Sequence, residues 1–454
     1  MAAASPDPHA PAILRSRIVG ALALLGLLLL LGRPLLRSCA SPVDPTRLTY
    51  VEAAHLEMTG RCLSDRNTDL SQGFSEALAT LLPRRCDGVV QPLWPWIAAF
   101  WHDPSDVEKT LRRSRLILSG CALGLLASLG WLIWLRLGLV PALWLVGVVG
   151  QHGLLPSCLS FGPALLFQAA LLLLWMACLI CLRDNSFWNY AMVGCLGALA
   201  WLLEDRLVIS LLIAAALTSS LRACWGWAYE QVQPRAELSR WRWNHHLQGL
   251  LLAAGCFFFL CAPRLIEANQ WFGRPFFSLW DEARWLENGT QAMQWLEQQE
   301  TRAGKGSQGV EALKLERGQP LQHPQASLQR LQHGLSLMAA QTQPAAAQIL
   351  LLALMLPALL LLRSRMPGTQ PKGLHAETPS LCLFALTAGL TMAVVGAWDA
   401  AALPLQGRPM LLPIALTLLW AMDGLLLRAG KWRHCLLRIR DIFLLSGLAT
   451  ALTG

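Results

Sequence analysis

Residues Ile18–Leu31, IVGALALLGLLLLL, decide how this chain is read. The run contains no charged, amide or hydroxyl side chain, so it offers nothing to water along its length. Such a segment belongs in a protein core or a bilayer. Its flanks choose between them. Arg15 and Arg17 stand just before it, as they would before a secretory signal, and Ser38–Ala40 even resembles a cleavage site. Arg33 and Arg37 follow the run and argue against cleavage. The expectation is a retained signal anchor with a cytoplasmic N-terminus.

Working outward, comparable runs recur at Leu116–Leu135, Leu137–Val149, Phe161–Leu182, Tyr190–Leu203, Leu207–Leu221, Leu247–Ala262, Ala347–Leu362, Leu381–Trp398, Pro409–Leu427 and Ile442–Leu452. These predict about eleven spans, several of them short for a hydrocarbon core of about 30 Å. The short ones are expected to be tilted, broken or paired as re-entrant hairpins. The runs are continuous rather than alternating, which excludes a transmembrane barrel. Of the 454 residues, 54% are hydrophobic and 14% charged; soluble domains carry roughly 25% charged residues. The fold class read from the sequence is therefore an all-α polytopic membrane protein.

The net charge of +9 does not imply nucleic-acid binding, because the basic residues cluster in short loops beside spans. Arg183–Asn189, Arg222–His246, Arg363–Gly373 and Arg428–Arg440 are basic, whereas Gln151–Cys158 and Asp399–Arg408 share a single Arg. That asymmetry places the basic loops inside and leaves two long loops outside, Gly32–Arg115 and Pro263 to about Pro344. Arg112, Arg113 and Arg115 run against the trend, but long loops translocate largely regardless of charge. Three regions follow: 1–262, an N-terminal transmembrane module with its first outer loop at 32–115; 263–345, a mostly helical second outer loop; and 346–454, the C-terminal spans. Many of the 20 Trp lie near span ends, as interfacial anchors do. Most of the 13 Cys fall inside apolar runs as small hydrophobes, Cys178 and Cys181 among them. Cys39, Cys62 and Cys86 lie in the first outer loop, where an oxidising compartment would allow one pair to bridge.

That first loop opens with SPVDPTRLTYVEAAHLEMTG (Ser41–Gly60) and closes with QPLWPWIAAFW (Gln91–Trp101). Asp44 precedes Pro45, a good N-cap and N1 pair for a helix. Asp44 also stands just past a span, where a carboxylate can meet a lipid-borne substrate. Glu52, His55 and Glu57 read as solvated helix positions. The Trp94, Trp96 and Trp101 group reads as an interfacial helix or as a stacking platform for sugar rings, the first favoured.

The order of these features resembles the GT-C membrane glycosyltransferases, in particular the branch of the protein mannosyltransferases and the lipid A aminoarabinose transferase. Asp44, Tyr50, Ala53 and Gly60 match the start of that branch in spacing. Pro92, Leu93, Pro95 and Trp96 stand where it carries a Pro-Pro-Leu-aromatic motif. Met192–Leu217 is similar to its Gly-rich span, and Gln406–Ala421 to its late Arg- and Pro-containing span. The chain departs from the pattern at Pro45, at Gln91, at Glu204-Asp205-Arg206 and at Pro409.

The resemblance implies a GT-C-like bundle with two long extracytoplasmic loops in the bacterial inner membrane. It implies transfer of a sugar from a polyprenyl-phosphate donor to a glycan, lipid or protein acceptor. Asp44 would be the general base, with Tyr50, Trp94 and Trp96 binding substrate. Arg206 and Arg408 would hold the lipid phosphate, the alternative for each being an Arg that snorkels to the interface. No cofactor is implied. A divalent ion at Glu204-Asp205 is the one possible metal, with pairing to Arg206 as its rival. Two other classes compete: a lipid-linked glycan flippase, which needs polar residues in mid-span such as Gln168 and Asp423, and a non-catalytic scaffold with the same fold.

Overall fold

The computed structural model describes residues 10–41, 52–53, 55–60, 91–205, 207–230, 243–272, 275–276, 324–342, 345, 347–353, 377–402, 411–426 and 433–453. About 90% of these are helical, and no strand occurs among them. The all-α reading is therefore correct. The helices are α1 (Ala10–Ala40), α2 (Leu93–Ala98), α3 (Val107–Leu137), α4 (Leu139–Trp144), α5 (Ala164–Arg183), α6 (Phe187–Leu203), α7 (Val208–Glu230), α8 (Trp243–Phe272), α9 (Pro324–Thr342), α10 (Glu377–Ala402), α11 (Leu411–Leu426) and α12 (Arg433–Thr453). A π-helix, Leu145–Leu154, and a 3-10 turn, Leu155–Cys158, continue α4. Among the described residues, five segments are long and apolar enough to cross a bilayer: Ile18–Cys39, Val107–Leu137, Leu139–Cys158, Ala164–Leu182 and Asn244–Ile266. Four shorter apolar helices accompany them.

Local chemistry sets the ends of the helices. Asp106 caps α3, its carboxylate accepting from the Lys109 backbone N–H at 2.9 Å. The same helix stops at Gly138, whose φ of +103° suits a residue without a Cβ. The chain then reverses into α4. Successive helices run antiparallel, and two contacts fix which ends share a level. Arg115, early in α3, donates to the Leu159 carbonyl at 3.0 Å. Arg440, early in α12, donates to the Leu137 carbonyl at 3.2 Å. The first contact lies at the end of the bundle that carries α2. The second lies at the opposite end.

The outside of the bundle is apolar. Leu22, Leu25 and Leu29 on α1, Leu132 and Leu135 on α3, Leu251 and Phe259 on α8, and Leu386 and Leu390 on α10 are all exposed. A water-soluble bundle would carry charges at such positions, so this surface has the character expected of one facing lipid. Without a hydrophobic drive between helices in lipid, close packing holds them together. Gly194 of α6 lies so near the Ala253 carbonyl of α8 that a Cβ there would collide with it. Gly334 of α9 lies equally close to the Ala397 carbonyl of α10. Helix α9 falls within the stretch assigned by sequence to the second outer loop; it packs along α10, and Arg330 sits 4.8 Å over the Trp398 ring.

Polar side chains within the bundle are tied to one another. The Trp175 indole donates to Thr417 Oγ1 at 2.7 Å, joining α5 to α11. The Trp144 indole donates to Gln348 Oε1 at 2.8 Å, and Gln348 Nε2 donates to the Gly447 carbonyl at 2.8 Å. Tyr190, His246 and Ser220 form a chain, with Tyr190 Oη 2.6 Å from His246 Nδ1 and Ser220 Oγ 3.2 Å from His246 Nε2. At the opposite end, Arg440 is 95% or more buried and bonds Asp441 at 2.9 Å and Asp423 at 3.4 Å.

Candidate functional site at the α2 end

The first outer-loop segment returns to the bundle through residues 52–60. Glu52 accepts a hydrogen bond from the Phe161 backbone N–H at 2.9 Å. His55 is buried and faces Gly162, whose missing side chain leaves it room. The Thr59 hydroxyl donates to the His55 carbonyl at 2.7 Å, and Met58 packs with Ala99 just beyond α2. Cys39 is not bridged; its Sγ lies 3.4 Å from Ser119 Oγ and fastens α1 to α3. Cys62 and Cys86 lie outside the described residues.

Helix α2 is short because Pro92 and Pro95 punctuate it, yet it carries the densest aromatic cluster at this end. Trp94 is completely buried, its ring edge-on to Trp101 at 6.1 Å and to Phe161 at 5.6 Å between centroids. Neither an interfacial ring nor an open stacking face describes it, since no part of it is exposed. Aromatic packing of this kind depends on partners far away in sequence. Trp96 is half-buried, edge-on to Phe100 at 5.5 Å. The Trp101 indole donates to Ser114 Oγ at 2.6 Å, locking the α2–α3 connection.

In that connection, hydrogen bonds from Lys109 and Ser105 hold the Asp103 carboxyl well below the usual carboxylate range. Burial pushes the neighbouring His102 imidazole below its ordinary value, against the opposing pull of Asp103.

The end of α6 meets the same region. Its helix breaks where Glu204 turns to extended backbone, with φ −160°. The next residue, Asp205, accepts from the Gln91 amide at 3.1 Å. This bond spans 114 residues of sequence and joins the start of α2 to the α6–α7 turn. Several buried polar atoms near this end have no hydrogen-bond partner among the described residues: Gln91 Oε1, Trp94 Nε1, His102 Nδ1 and the Nε and Nη1 of Arg264; Gln151 Oε1, at the level of Leu126 in the middle of the bundle, has none either. Gln151 lies in the π-helix, a distortion often found at functional sites.

Of the site residues expected from sequence, Trp94 and Trp96 are placed together on α2. Asp44, Tyr50, Arg206 and Arg408 lie outside the described residues. Glu52 and His55, read as solvated helix positions, are instead docked on the Phe161–Gly162 turn. Only the Gly at 162, with no side chain to exclude His55, hinted at this docking. Among the described residues, no three His, Cys, Asp or Glu side chains come together as a metal site. Cys178 and Cys181 are both buried within α5. No protein family, curated protein or solved structure matches the chain.

Proposed function

We propose that this chain is a GT-C-like membrane glycosyltransferase of the bacterial plasma membrane, with about eleven spans. It transfers a sugar from a polyprenyl-phosphate donor to a glycan, lipid or protein acceptor at the α2 end of the bundle. The observation that carries the reading is the gathering of buried polar atoms there, on an otherwise apolar bundle. Gln91 offers an acceptor and the Arg264 guanidinium offers donors, a mixture suited to a phosphorylated sugar.

In the reaction, an acceptor oxygen attacks the anomeric carbon and the bond from that carbon to the phosphate oxygen breaks. The bond pair leaves with the phosphate. Asp44 takes the acceptor's proton, and Arg206 and Arg408 neutralise the leaving phosphate. Glu52 is a weaker choice of base, because its carboxylate already holds the Phe161 N–H. Docking of residues 52–60 supports a position for Asp44 near the same end, eight residues upstream. The half-buried Trp96 then lines the acceptor side, and Tyr50 is expected to bind substrate. A flippase would need mid-bundle polar side chains such as Gln168 and Asp423 along a path, but Gln168 is engaged with Ser157 and Asp423 with Arg440.

The test is sugar transfer by the full chain in nanodiscs, with polyprenyl-phosphate mannose and polyprenyl-phosphate glucose as donors. Asp44→Asn keeps the helix cap and removes the base, so transfer should fall by about 100-fold or more. A near-normal rate would exclude Asp44, and transfer by neither donor would favour the scaffold reading.

A further inference from the structure

Arg264 is 5% exposed, and no hydrogen bond or ion pair reaches its guanidinium from the described residues. A charge kept inside an apolar bundle needs a counter-charge, and an unpaired intramembrane Arg marks a ligand pathway more often than a structural element. The side chain is not an interfacial anchor. On α8 the residues Phe257, Cys261, Leu265 and Ala268 are buried, while Phe258, Phe259, Leu260 and Ile266 are exposed. Arg264 lies on the buried stripe and so faces the bundle rather than the lipid.

Register fixes its level. Helices α6 and α8 run parallel and pair Tyr190 with His246, Gly194 with Ala253 and Trp201 with Phe257. Carrying that register onward puts Arg264 level with Asp205–Val208, just past the end of α6. Beside Glu204, the described carboxylate at that level is Asp205. It accepts from Gln91 and makes no ion pair among the described residues. Among the described residues, the same corner therefore holds a buried cation without an anion and a buried amide oxygen, Gln91 Oε1, without a donor. A protonated phosphate monoester supplies both complements: anionic oxygens for Arg264, and a P–OH for Gln91.

We propose that Arg264 recognises the phosphate of a lipid-borne phosphate monoester at the α2 end of the bundle, with Gln91 beside it. This rests on the glycosyltransferase reading only in taking that lipid to be the polyprenyl carrier. Arg264 thus binds from within the bundle. The guanidinium is preorganised on a rigid helix, and its planar fork suits two phosphate oxygens at once.

The experiment is binding of a polyprenyl monophosphate to the full chain in phosphatidylcholine nanodiscs, followed by native mass spectrometry. Unphosphorylated polyprenol, inorganic phosphate and phosphatidylglycerol serve as the other arms. The wild type should retain the monophosphate at least about 10-fold over each of these, and Arg264→Gln should lose that preference. Arg264→Lys should weaken binding by a smaller factor, since it keeps the charge and loses the fork.

Stability without ligand gives a second readout. Arg264→Met removes a buried unpaired charge, so its Tm should equal or exceed that of the wild type. Unchanged binding by Arg264→Gln, equal retention of inorganic phosphate or phosphatidylglycerol, or a large fall in Tm for Arg264→Met would each overturn the proposal. Binding and transfer separate the two ideas. Asp44→Asn should still bind the monophosphate, so intact binding without any transfer would sink the enzyme and leave the phosphate site standing.

Discussion

The middle and far end of the bundle differ from the α2 end in how they treat buried polar atoms. In the middle and at the far end most of these atoms are closed off, Gln151 Oε1 being the exception among the described residues. Trp175 meets Thr417, Trp144 meets Gln348, Tyr190 and Ser220 meet His246, and Arg440 meets Asp423, Asp441 and the Leu137 carbonyl. At the α2 end, Gln91, Trp94, His102 and Arg264 each keep at least one buried polar atom without a partner among the described residues. Burying an unsatisfied polar group costs about 1–3 kcal/mol. A fold that satisfies such groups elsewhere has the means to satisfy them here. The difference separates groups that bolt helices together from groups held ready for something else.

The sharpest way to break this comparison is at the far end. Arg440→Met leaves Asp423 and Asp441 without their cation, and removing one partner of a buried pair costs about 3–5 kcal/mol. The expected result is a fall in Tm with sugar transfer per folded molecule unchanged. A variant as stable as wild type would show that the far end is no more bolted than the α2 end.

Gln348→Leu comes next. It strands the Trp144 indole and removes one donor from the Gly447 carbonyl, for a loss of about 1–3 kcal/mol, again without an effect on turnover.

A matched pair sharpens the contrast. Trp94 and Trp175 are both completely buried, so Trp→Phe removes similar volume at each. Trp175→Phe also breaks a hydrogen bond, and should therefore be the less stable of the two by about 0.5–1.5 kcal/mol. Equal losses of stability would mean that the Trp94 N–H is satisfied after all.

The smallest effect is a pH dependence. Burial depresses the folded-state pKa of His102, so the folded protein resists protonation that the unfolded chain accepts. Its contribution is fully present above the ordinary histidine value and is lost as pH falls below about 6.5. His102→Gln should flatten that part of the stability profile, measured by Tm between about pH 7.5 and pH 5.

Most of the fold is legible in the apolar runs, but their ends are not the helix ends. The apolar run that announced α8 ends at Ala262, with the second outer loop expected from Pro263. The helix continues to Phe272. A proline within a membrane helix costs one backbone bond that neighbouring groups can replace. Helix α12 begins at Arg433, nine residues before the apolar run that announced it, because hydropathy reports the surroundings of a segment and not its backbone.

The candidate site is less legible. Gln91–Asp205 and Trp94–Phe161 join residues remote in sequence, and no local pattern encodes such meetings. Arg264 escaped notice because the apolar run ends two residues before it, which placed it in the second outer loop.

The π-helix Leu145–Leu154 has a consequence for how this chain tolerates changes of length. Its wider turns take up residues that an α-helix would not accommodate. Deleting one residue between 145 and 150 would let the backbone relax to the α repeat without breaking the rod. Everything beyond the deletion would then rotate by about 100° relative to everything before it. Trp144 would keep its bond to Gln348, while Gln151 and His152 would turn away from their present facing. Among related sequences, gaps of a single residue should therefore be rare in this stretch wherever activity is kept, and common wherever it has been lost.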